Sequence, residues 1–231
     1  RGNLRGTLVN ALLHHCKTLA KSDDFRRPGV VHRLDKDTTG LLVFAKSYRA
    51  HAGLAQQVEA RAMRREYLAI VWGDVASKGG RIEAPIGRDA MDRKKMRVTP
   101  FSARPALTDF KVVERFGIAT YLKLRLGTGR THQIRVHLSH FGHPLVGDPT
   151  YGGRRVSALT GLGKGKAKSL EDILTIISRQ ALHAFGLGFA HPIAGKEMEF
   201  TSPLPQDMKE VLGYLRRTYG DESRSYPASV S

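Results

Sequence analysis

Residues 108–126 read TDFKVVERFGIATYLKLRL and contain two strand patterns separated by a glycine. From Thr120 to Leu126 every second residue is threonine or leucine, which is the period of a strand with one buried face. Gly117 lies between the two patterns and suits a tight turn. Because strands joined by a short turn pair antiparallel, this stretch predicts a hairpin within an antiparallel sheet.

Further strands and helices are predicted on both sides of this hairpin. Ser47 suits the N-cap of a helix that ends near Ala62, and a period of two begins at Glu66 and stops at Gly73. The remaining predicted elements are helices over residues 7–20, 131–141 and from about 205 onward, and strands over residues 41–45, 81–86, 95–99, 181–190 and 196–201. We therefore expect an α+β protein with a mostly antiparallel mixed sheet flanked by helices and loops.

The charge of the chain indicates its partner. The 231 residues include 38 Lys and Arg against 21 Asp and Glu, a formal net charge of +17, and a protein this basic is expected to bind a polyanion such as nucleic acid. Neither an apolar run of about 18 residues nor a signal-peptide core is present, so we expect a cytoplasmic protein without a membrane segment. Cys16 is the single cysteine, which excludes an internal disulfide and a cysteine-rich zinc site. Because the chain begins with Arg1, we also expect a longer natural N-terminus.

A polar segment precedes the predicted strand over residues 41–45. The sequence HRLDKDTTGLLV, residues 32–43, brackets Asp35 between Arg33 and Lys36. Nearby positive charge favours the ionised form of a carboxylate, so Asp35 is a candidate nucleophile or base. The alternative is that this acid only forms hydrogen bonds in a turn, as aspartate commonly does.

A second candidate segment is GRTHQIRVH, residues 129–137, on the predicted helix over residues 131–141. Its arginines and its amide, Arg130, Gln133 and Arg135, are expected to hold an anion, with a solvated basic face as the alternative. Four histidines follow one another here, but their spacing differs from the same-face pair of helical zinc sites. The four are His132, His137, His140 and His143.

A third candidate is Tyr67, on the predicted strand that follows Arg64 and Arg65. An aromatic ring beside basic side chains is a common way to hold an unstacked base. The alternative is a tyrosine packed in the core of the sheet.

The last third of the chain contains a basic insertion. We expect residues 152–178 to be mobile, with Arg154 and Arg155 contacting a phosphate backbone. We assign residues 1–220 to one catalytic-sized domain and residues 221–231 to a polar tail.

Taken together, HRLDKDTTGLLV, REYLA at residues 65–69 and GRTHQIRVH resemble the RluA-type pseudouridine synthases, over about residues 3–215. The secondary match GHPLVGDPTYGG, residues 142–153, indicates the branch that acts on large-subunit ribosomal RNA. The resemblance implies the pseudouridine synthase catalytic fold, with an active-site cleft across the sheet. It implies an enzyme that isomerises uridine in RNA without a cofactor.

The resemblance also implies roles for individual residues. Asp35 would be the catalytic nucleophile or base, Arg135 its ion-pair partner, and Tyr67 the ring that stacks on the target uracil. Arg33 would fill the space left in the RNA, and the RNA-binding set would further include His32, Arg64, Arg65, Arg130, His132, Gln133, Arg154 and Arg155. The family's N-terminal strand and its S4-type RNA-binding domain are not matched, and we expect a monomer.

Two other functions stay open from the sequence. One is an RNA-binding module without catalysis, which needs the basic faces but not Asp35. The other is a metal-dependent phosphodiesterase that uses the histidines together with Asp148, and it would be inhibited by a chelator and would shorten its RNA.

Overall fold

The computed structural model describes residues 6–16, 19–20, 28–155, 164–220 and 224–225. The chain divides into two compact units. The smaller is formed by Arg1–Leu34, Leu41–Arg65 and Gly186–Thr201, and the larger by Asp35–Gly40, Glu66–Phe185 and Ser202–Ser231. Within the described residues, no helix combines the length and the apolar character that a bilayer crossing requires.

Helices and strands alternate irregularly along the chain. The helices are α1 (Leu8–His15), α2 (Tyr48–Glu59), α3 (Gln133–His140), α4 (Lys164–Ile176) and α5 (Gln206–Tyr219). The strands are β1 (Thr39–Gly40), β2 (Arg64–Trp72), β3 (Gly79–Glu83), β4 (Ile86–Arg88), β5 (Met96–Val98), β6 (Ala103–Arg104), β7 (Leu107–Arg115), β8 (Ala119–Leu126), β9 (Leu182–Ala190), β10 (Glu197–Thr201) and β11 (Arg224–Ser225).

The main sheet of the larger unit is mixed, as the sequence predicted. Its strands follow the order β1-β9-β2-β8-β7-β11, and β3 also pairs with β7. The predicted hairpin is β7–β8, in which Thr108 lies opposite Leu126 and Phe110 opposite Leu124. The β1–β9 pair is parallel, whereas β2–β8, β3–β7 and β7–β8 are antiparallel. A separate three-stranded sheet has the order β5-β4-β6.

One apolar core of the larger unit lies where α4 and α5 pack against the sheet. Trp72 and Phe116 are buried from the sheet side, and Ile173 and Leu212 from the helices. The helix predicted from about residue 205 onward is confirmed as α5, and its buried residues are Met208, Val211, Leu212 and Leu215. Burial of a large apolar side chain contributes roughly 1.5–3 kcal/mol, so this core fixes the helices on the sheet.

The prediction of a mobile insertion over residues 152–178 is wrong for its second half. α4 begins at Lys164, and Leu170, Ile173 and Ile177 are completely or almost completely buried in the core. These residues recur at intervals of three and four, so one helix face is apolar in spite of the basic residues before it. Residues 156–163 of the predicted insertion lie outside the described residues.

The opposite face of the main sheet carries α3. Thr108 of β7 contacts His137 of α3, with 3.0 Å between the threonine Oγ1 and the histidine Nδ1. Thr108 and Phe110 share one face of β7, Phe110 lies opposite Leu124 of β8, and Leu124 lies opposite Tyr67 of β2. Tyr67 therefore projects from the face on which α3 is packed.

In the smaller unit, α2 and the β9–β10 hairpin share a second core. Leu54, Met63, Leu187 and Phe189 are buried there, and Ser47 caps α2 as predicted. The helix predicted over residues 7–20 is shorter in the structure, because α1 ends at His15, and it has no buried residue.

The predicted strand over residues 41–45 is also absent. Phe44 makes an isolated antiparallel bridge with Val30, and Ala45 exchanges backbone hydrogen bonds with Ala20 and Gly29. Leu41 and Val43 pack against the core of the smaller unit, which accounts for the apolar run without a strand.

Candidate active site

Asp35 opens a short loop that ends in β1 of the larger unit. The Thr38 N–H donates to the Asp35 carbonyl at 3.1 Å, which makes residues 35–38 a turn. β1 then pairs with β9, with Thr39 opposite His183 and Gly40 opposite Ala184. This pairing ties the C-terminal end of the loop to the main sheet.

Gly40 is required at the end of this loop for two reasons. Its φ of +115° lies in the region that residues with a side chain rarely adopt. A Cβ at this position would also collide with the carbonyl oxygen of Ala184.

Two side chains of the segment before β9, those of Arg179 and Gln180, form hydrogen bonds with this loop. The Gln180 amide donates to the Lys36 carbonyl at 2.7 Å and to Thr38 Oγ1 at 3.0 Å. Arg179 Nη1 donates to the Asp37 carbonyl at 3.3 Å. Asp37 has a φ of +66°, so these bonds stabilise a backbone conformation that aspartate adopts at some cost.

Arg135 of α3 is shared by two carboxylates. Its Nε and Nη2 donate to Asp148 at 2.7 and 2.9 Å, and its Nη1 lies 3.4 Å from Asp35 Oδ2. The side chain of Asp148 is 0% exposed and that of Arg135 is 6% exposed, whereas that of Asp35 is 14% exposed. Arg135 is therefore anchored by Asp148, the more buried of the two acids, and its Nη1 faces Asp35.

Asp148 is itself fixed by the backbone that follows it. Its Oδ1 accepts hydrogen bonds from the N–H groups of Thr150 and Tyr151 at 2.8 and 3.1 Å. Burial opposes the charge of Arg135, but the hydrogen bond and charge of Asp148, with a smaller contribution from Asp35, outweigh it and raise the pKa of Arg135. The guanidinium therefore stays charged, and the ion pair is satisfied on both sides.

His132 lies beside the other oxygen of Asp35. Its Nε2 is 4.0 Å from Asp35 Oδ1, and its Nδ1 is 2.8 Å from the hydroxyl of Tyr151. The Tyr151 ring also lies against Arg135, with the guanidinium carbon 5.0 Å from the ring centroid. The two oxygens of Asp35 thus have different neighbours, arginine at Oδ2 and histidine at Oδ1.

This arrangement suits a carboxylate that reacts. Arg135 contacts one oxygen of Asp35 through a single nitrogen and leaves the second oxygen free of a bidentate ion pair. The side chain is partly accessible at 14%, so a ligand atom can approach it. An oriented and accessible carboxylate can act as a nucleophile or as a general base.

Apart from His132, which lies beside Asp35, the predicted RNA-binding residues fall into two groups. His32, Arg65 and Gln133 are buried, with exposures of 9%, 6% and 3%, so the prediction that they contact RNA finds no support. Gln133 instead joins β7 to α3, since it accepts from Thr128 and donates to the Leu107 carbonyl.

His32 has a structural role within the smaller unit. The Val43 N–H donates to its Nε2 at 3.2 Å. Burial, together with the charge of Arg65, lowers the pKa of His32 to about 4, so this imidazole is neutral at pH 7.

The second group has accessible side chains. Arg33, Arg154 and Arg155 are exposed, whereas Arg64 and Arg130 are partly exposed. Arg64 forms an ion pair with Glu199, and Arg130 Nε donates to the Pro105 carbonyl at 3.0 Å.

The histidines proposed as metal ligands have other partners. His137 is buried between Thr108 and the Ala84 carbonyl, and His143 Nδ1 lies 3.1 Å from the Trp72 carbonyl. Both oxygens of Asp148 are bonded to Arg135. Among the described residues, no group of three or more His, Cys, Asp or Glu side chains is placed to hold a metal ion.

Three residues of this site were missed by the sequence interpretation, namely Asp148 as the anchor of Arg135, Tyr151, and Gln180. Asp148 and Tyr151 belong to the segment GHPLVGDPTYGG that supported the family resemblance. An acid within a glycine- and proline-rich loop next to a predicted arginine helix was the signal available for Asp148.

Comparison with known proteins agrees with this geometry. Residues 9–140 match the family model for RNA pseudouridylate synthase. The chain is 48% identical over 217 residues to ribosomal large subunit pseudouridine synthase D of Vibrio vulnificus, covering 94% of the chain and 63% of that relative. It is 46% identical over 218 residues to the protein of the same name from Escherichia coli K12, covering 94% of the chain and 64% of the relative.

A solved structure is similar as well. Human RNA pseudouridylate synthase domain containing 4 superimposes with a TM-score of 0.65 at 28% identity, over 82% of this chain and 76% of the human one. The chain spans 63% and 64% of the lengths of the two bacterial relatives. On the family match, the identities and the shared fold, the chain belongs to the RNA pseudouridylate synthase family.

Proposed function

We propose that this chain isomerises uridine to pseudouridine in large-subunit ribosomal RNA, with Asp35 as the nucleophile or base and without a cofactor. The observation that carries the proposal is the Asp35–Arg135–Asp148 arrangement, in which a buried, anchored arginine faces a partly accessible carboxylate. The names of the two bacterial relatives support the choice of RNA.

The reaction rearranges one bond without adding or removing atoms from the uridine overall. The C1′–N1 bond breaks, the uracil turns, the C1′–C5 bond forms, and the hydrogen on C5 is replaced by the bond to the ribose while N1 gains a proton. Asp35 acts on the ribose or on the uracil ring, and either step needs an ionised carboxylate at the nucleotide.

Access to the target requires that the uridine leave its stack, at a cost of a few kcal/mol that stacking and phosphate contacts offset. We assign stacking on the uracil to Tyr67, a residue that is 5% exposed and projects from the sheet face that carries α3. The net charge of +17 supports phosphate contacts, for which Arg33, Arg130, Arg154 and Arg155 are the accessible candidates. The cytoplasmic location and the monomeric state stay predictions.

The two alternative functions predict different results. A binding module would leave RNA chemically unchanged. A metal-dependent phosphodiesterase would shorten RNA and stop in a chelator, and the pairing of Asp148 with Arg135 removes its proposed acidic ligand.

The test is to incubate the purified chain with unmodified large-subunit ribosomal RNA in the presence of a chelator. Carbodiimide-dependent stops of reverse transcription then report pseudouridine, and gel electrophoresis reports the length of the RNA. We expect stops at a few defined uridines in RNA of unchanged length. Shortened RNA, or RNA that is bound but has no stops, would contradict the proposal.

A further inference from the structure

Tyr151 contacts Asp148 and the two side chains that flank the Asp35 carboxylate, Arg135 and His132. Its backbone N–H donates to Asp148 Oδ1 at 3.1 Å, and its ring lies against the Arg135 guanidinium. Its hydroxyl oxygen lies 2.8 Å from His132 Nδ1. The residue is thus connected to both neighbours of the carboxylate, the arginine at Oδ2 and the histidine at Oδ1.

The hydrogen bonds of the Tyr151 hydroxyl determine where the protons lie. The backbone N–H of Met96 points at this oxygen at 3.0 Å and can only donate, so the phenol accepts there. Burial raises the pKa of Tyr151, so the phenol keeps its own proton at neutral pH. The remaining described partner is His132 Nδ1, which therefore accepts that proton.

A neutral imidazole that accepts at Nδ1 carries its hydrogen on Nε2. In this structure Nε2 is the atom of His132 that faces Asp35, at 4.0 Å from Oδ1. His132 adopts a left-handed backbone conformation, with a φ of +57°, immediately before α3.

We propose that Tyr151 is a positioning residue for the reaction, which fixes the tautomer of His132 so that an Nε2–H group is directed at Asp35 Oδ1. His132 is the second positioning residue, and it acts on the carboxylate oxygen that Arg135 does not contact. With both neighbours in place the carboxylate has one orientation toward the nucleotide. This inference rests on the proposed function for its effect on turnover, but not for the placement of the protons.

The first test is nitrogen-15 NMR of the imidazoles, which distinguishes the two tautomers and needs no substrate. We expect the natural protein to show His132 protonated at Nε2 and unprotonated at Nδ1, with the signal assigned by its loss in His132→Asn. Tyr151→Phe keeps the ring against Arg135 and removes only the hydroxyl, so we expect a mixture of tautomers there. Protonation at Nδ1 in the natural protein, or an unchanged tautomer in Tyr151→Phe, would overturn the proposal.

The second test separates turnover from binding. Tyr151→Phe should lower kcat by about 10-fold to 100-fold, as expected when a reacting group is misplaced, and leave the Kd for RNA within about twofold. His132→Asn suits the left-handed backbone, keeps a partner for the Tyr151 hydroxyl and is too short to reach Asp35. His132→Asn should lower kcat by the same factor as Tyr151→Phe. The double variant should lose little more activity, because both changes disrupt the same Tyr151–His132 interaction.

The matched control is Tyr214→Phe. Tyr214 donates a hydrogen bond of 2.9 Å to Asp172 on the side of the larger unit where α4 and α5 pack. Loss of this hydroxyl should change neither kcat nor the tautomer of His132. Equal losses of kcat in Tyr214→Phe and Tyr151→Phe would show that Tyr151 has only a structural role.

The proposed function and the positioning role of Tyr151 can each be disproved without the other. If the natural protein shows the Nε2–H tautomer but no turnover of uridine, the proposed function is wrong and the proton placement stands. If the natural protein turns over but Tyr151→Phe is fully active, the positioning role is wrong and the proposed function stands.

Discussion

Arg135 and Asp148 form a pair that is more buried than the carboxylate it supports. Each carboxylate oxygen of Asp148 accepts from one guanidinium nitrogen, and two backbone N–H groups complete the set. An ion pair of this kind gains little over an apolar pair, but removing one partner leaves an uncompensated buried charge. The ion pair with Asp148 therefore fixes the position of the Arg135 guanidinium, and Asp35 contacts its remaining nitrogen, Nη1.

Asp148→Asn is expected to destabilise the chain by about 3–5 kcal/mol, because it leaves the charge of Arg135 buried without its counter-charge. The free energy of unfolding in urea at neutral pH measures this loss. Asp207→Asn is the control, since Asp207 holds Arg179 with similar distances, 2.7 and 2.8 Å, but its side chain is 29% exposed. There we expect roughly 1 kcal/mol, and equal losses in the two variants would contradict the account.

The sequence predicted Asp35 and Arg135 but not the role of Asp148. The position of Asp35 between Arg33 and Lys36 can be read directly from the sequence, and the family resemblance pairs Asp35 with Arg135. The identity of the arginine's second partner depends on how the loop after α3 folds back, and no local pattern encodes this fold. His32, Arg65 and Gln133 belong to the predicted RNA-binding set but are buried, and burial depends on tertiary packing that no local sequence pattern shows.

At the scale of elements, the loop of residues 35–40 depends on the segment before β9. The Gln180 amide is 2% exposed and bonds the Lys36 carbonyl and the Thr38 hydroxyl. These bonds, with the parallel pairing of Thr39 and His183, hold the loop that begins at Asp35. The rigidity of the loop therefore comes from its hydrogen bonds rather than from the strand predicted over residues 41–45.

Gln180→Leu is expected to release this loop while the core keeps its packing. The substitution leaves the Lys36 carbonyl without its donor, so we expect about a 10-fold to 100-fold loss of turnover. Hydrogen exchange at the amides of residues 36–40 should become faster at the same time. Gln206→Leu, which removes an exposed bond to Glu210 on α5, is the control and should change neither quantity. Slow exchange in Gln180→Leu would contradict the role of this side chain.

The elements were predicted with uneven success for physical reasons. The β7–β8 hairpin and α5 are confirmed because residues 120–126 keep a period of two and α5 keeps a period of three to four, although β7 contains an irregularity between Val112 and Glu114. α4 was missed because basic residues at its start dominate the composition, although its apolar spacing is present in the sequence. The apolar residues 41–45 pack against the core without forming a β-strand. A short apolar run does not by itself distinguish a strand from a packed irregular segment.

At the scale of the whole molecule, several buried histidines couple stability to pH. Burial is the main cause that lowers the pKa of His32, His137 and His183. In the unfolded chain these histidines regain their ordinary pKa, so the unfolded state takes up protons first as the pH falls. Stability is therefore greatest above the unfolded pKa and decreases as the pH falls below about 6.5.

The contribution of His32 to this dependence can be given a magnitude. Its pKa falls from 6.5 to about 4, which corresponds to roughly 3 kcal/mol lost between those pH values. His32→Gln should flatten the curve of unfolding free energy against pH in this range, as measured by urea titrations. His15→Gln, at an exposed histidine of α1, should leave the slope unchanged. Equal slopes for His32→Gln and the natural protein would contradict the buried, neutral state of His32.

The central claim is that Asp35 drives the exchange of the uridine C1′–N1 bond for a C1′–C5 bond. That exchange releases the hydrogen on C5, so the most direct measurement is the release of tritium to water from RNA that contains 5-tritiated uridine. The natural protein should release tritium, and Asp35→Asn should release none while it still binds the RNA. Asp37→Asn, in the same loop and at an exposed position, should release tritium at close to the natural rate. Release by Asp35→Asn at the natural rate would contradict the account.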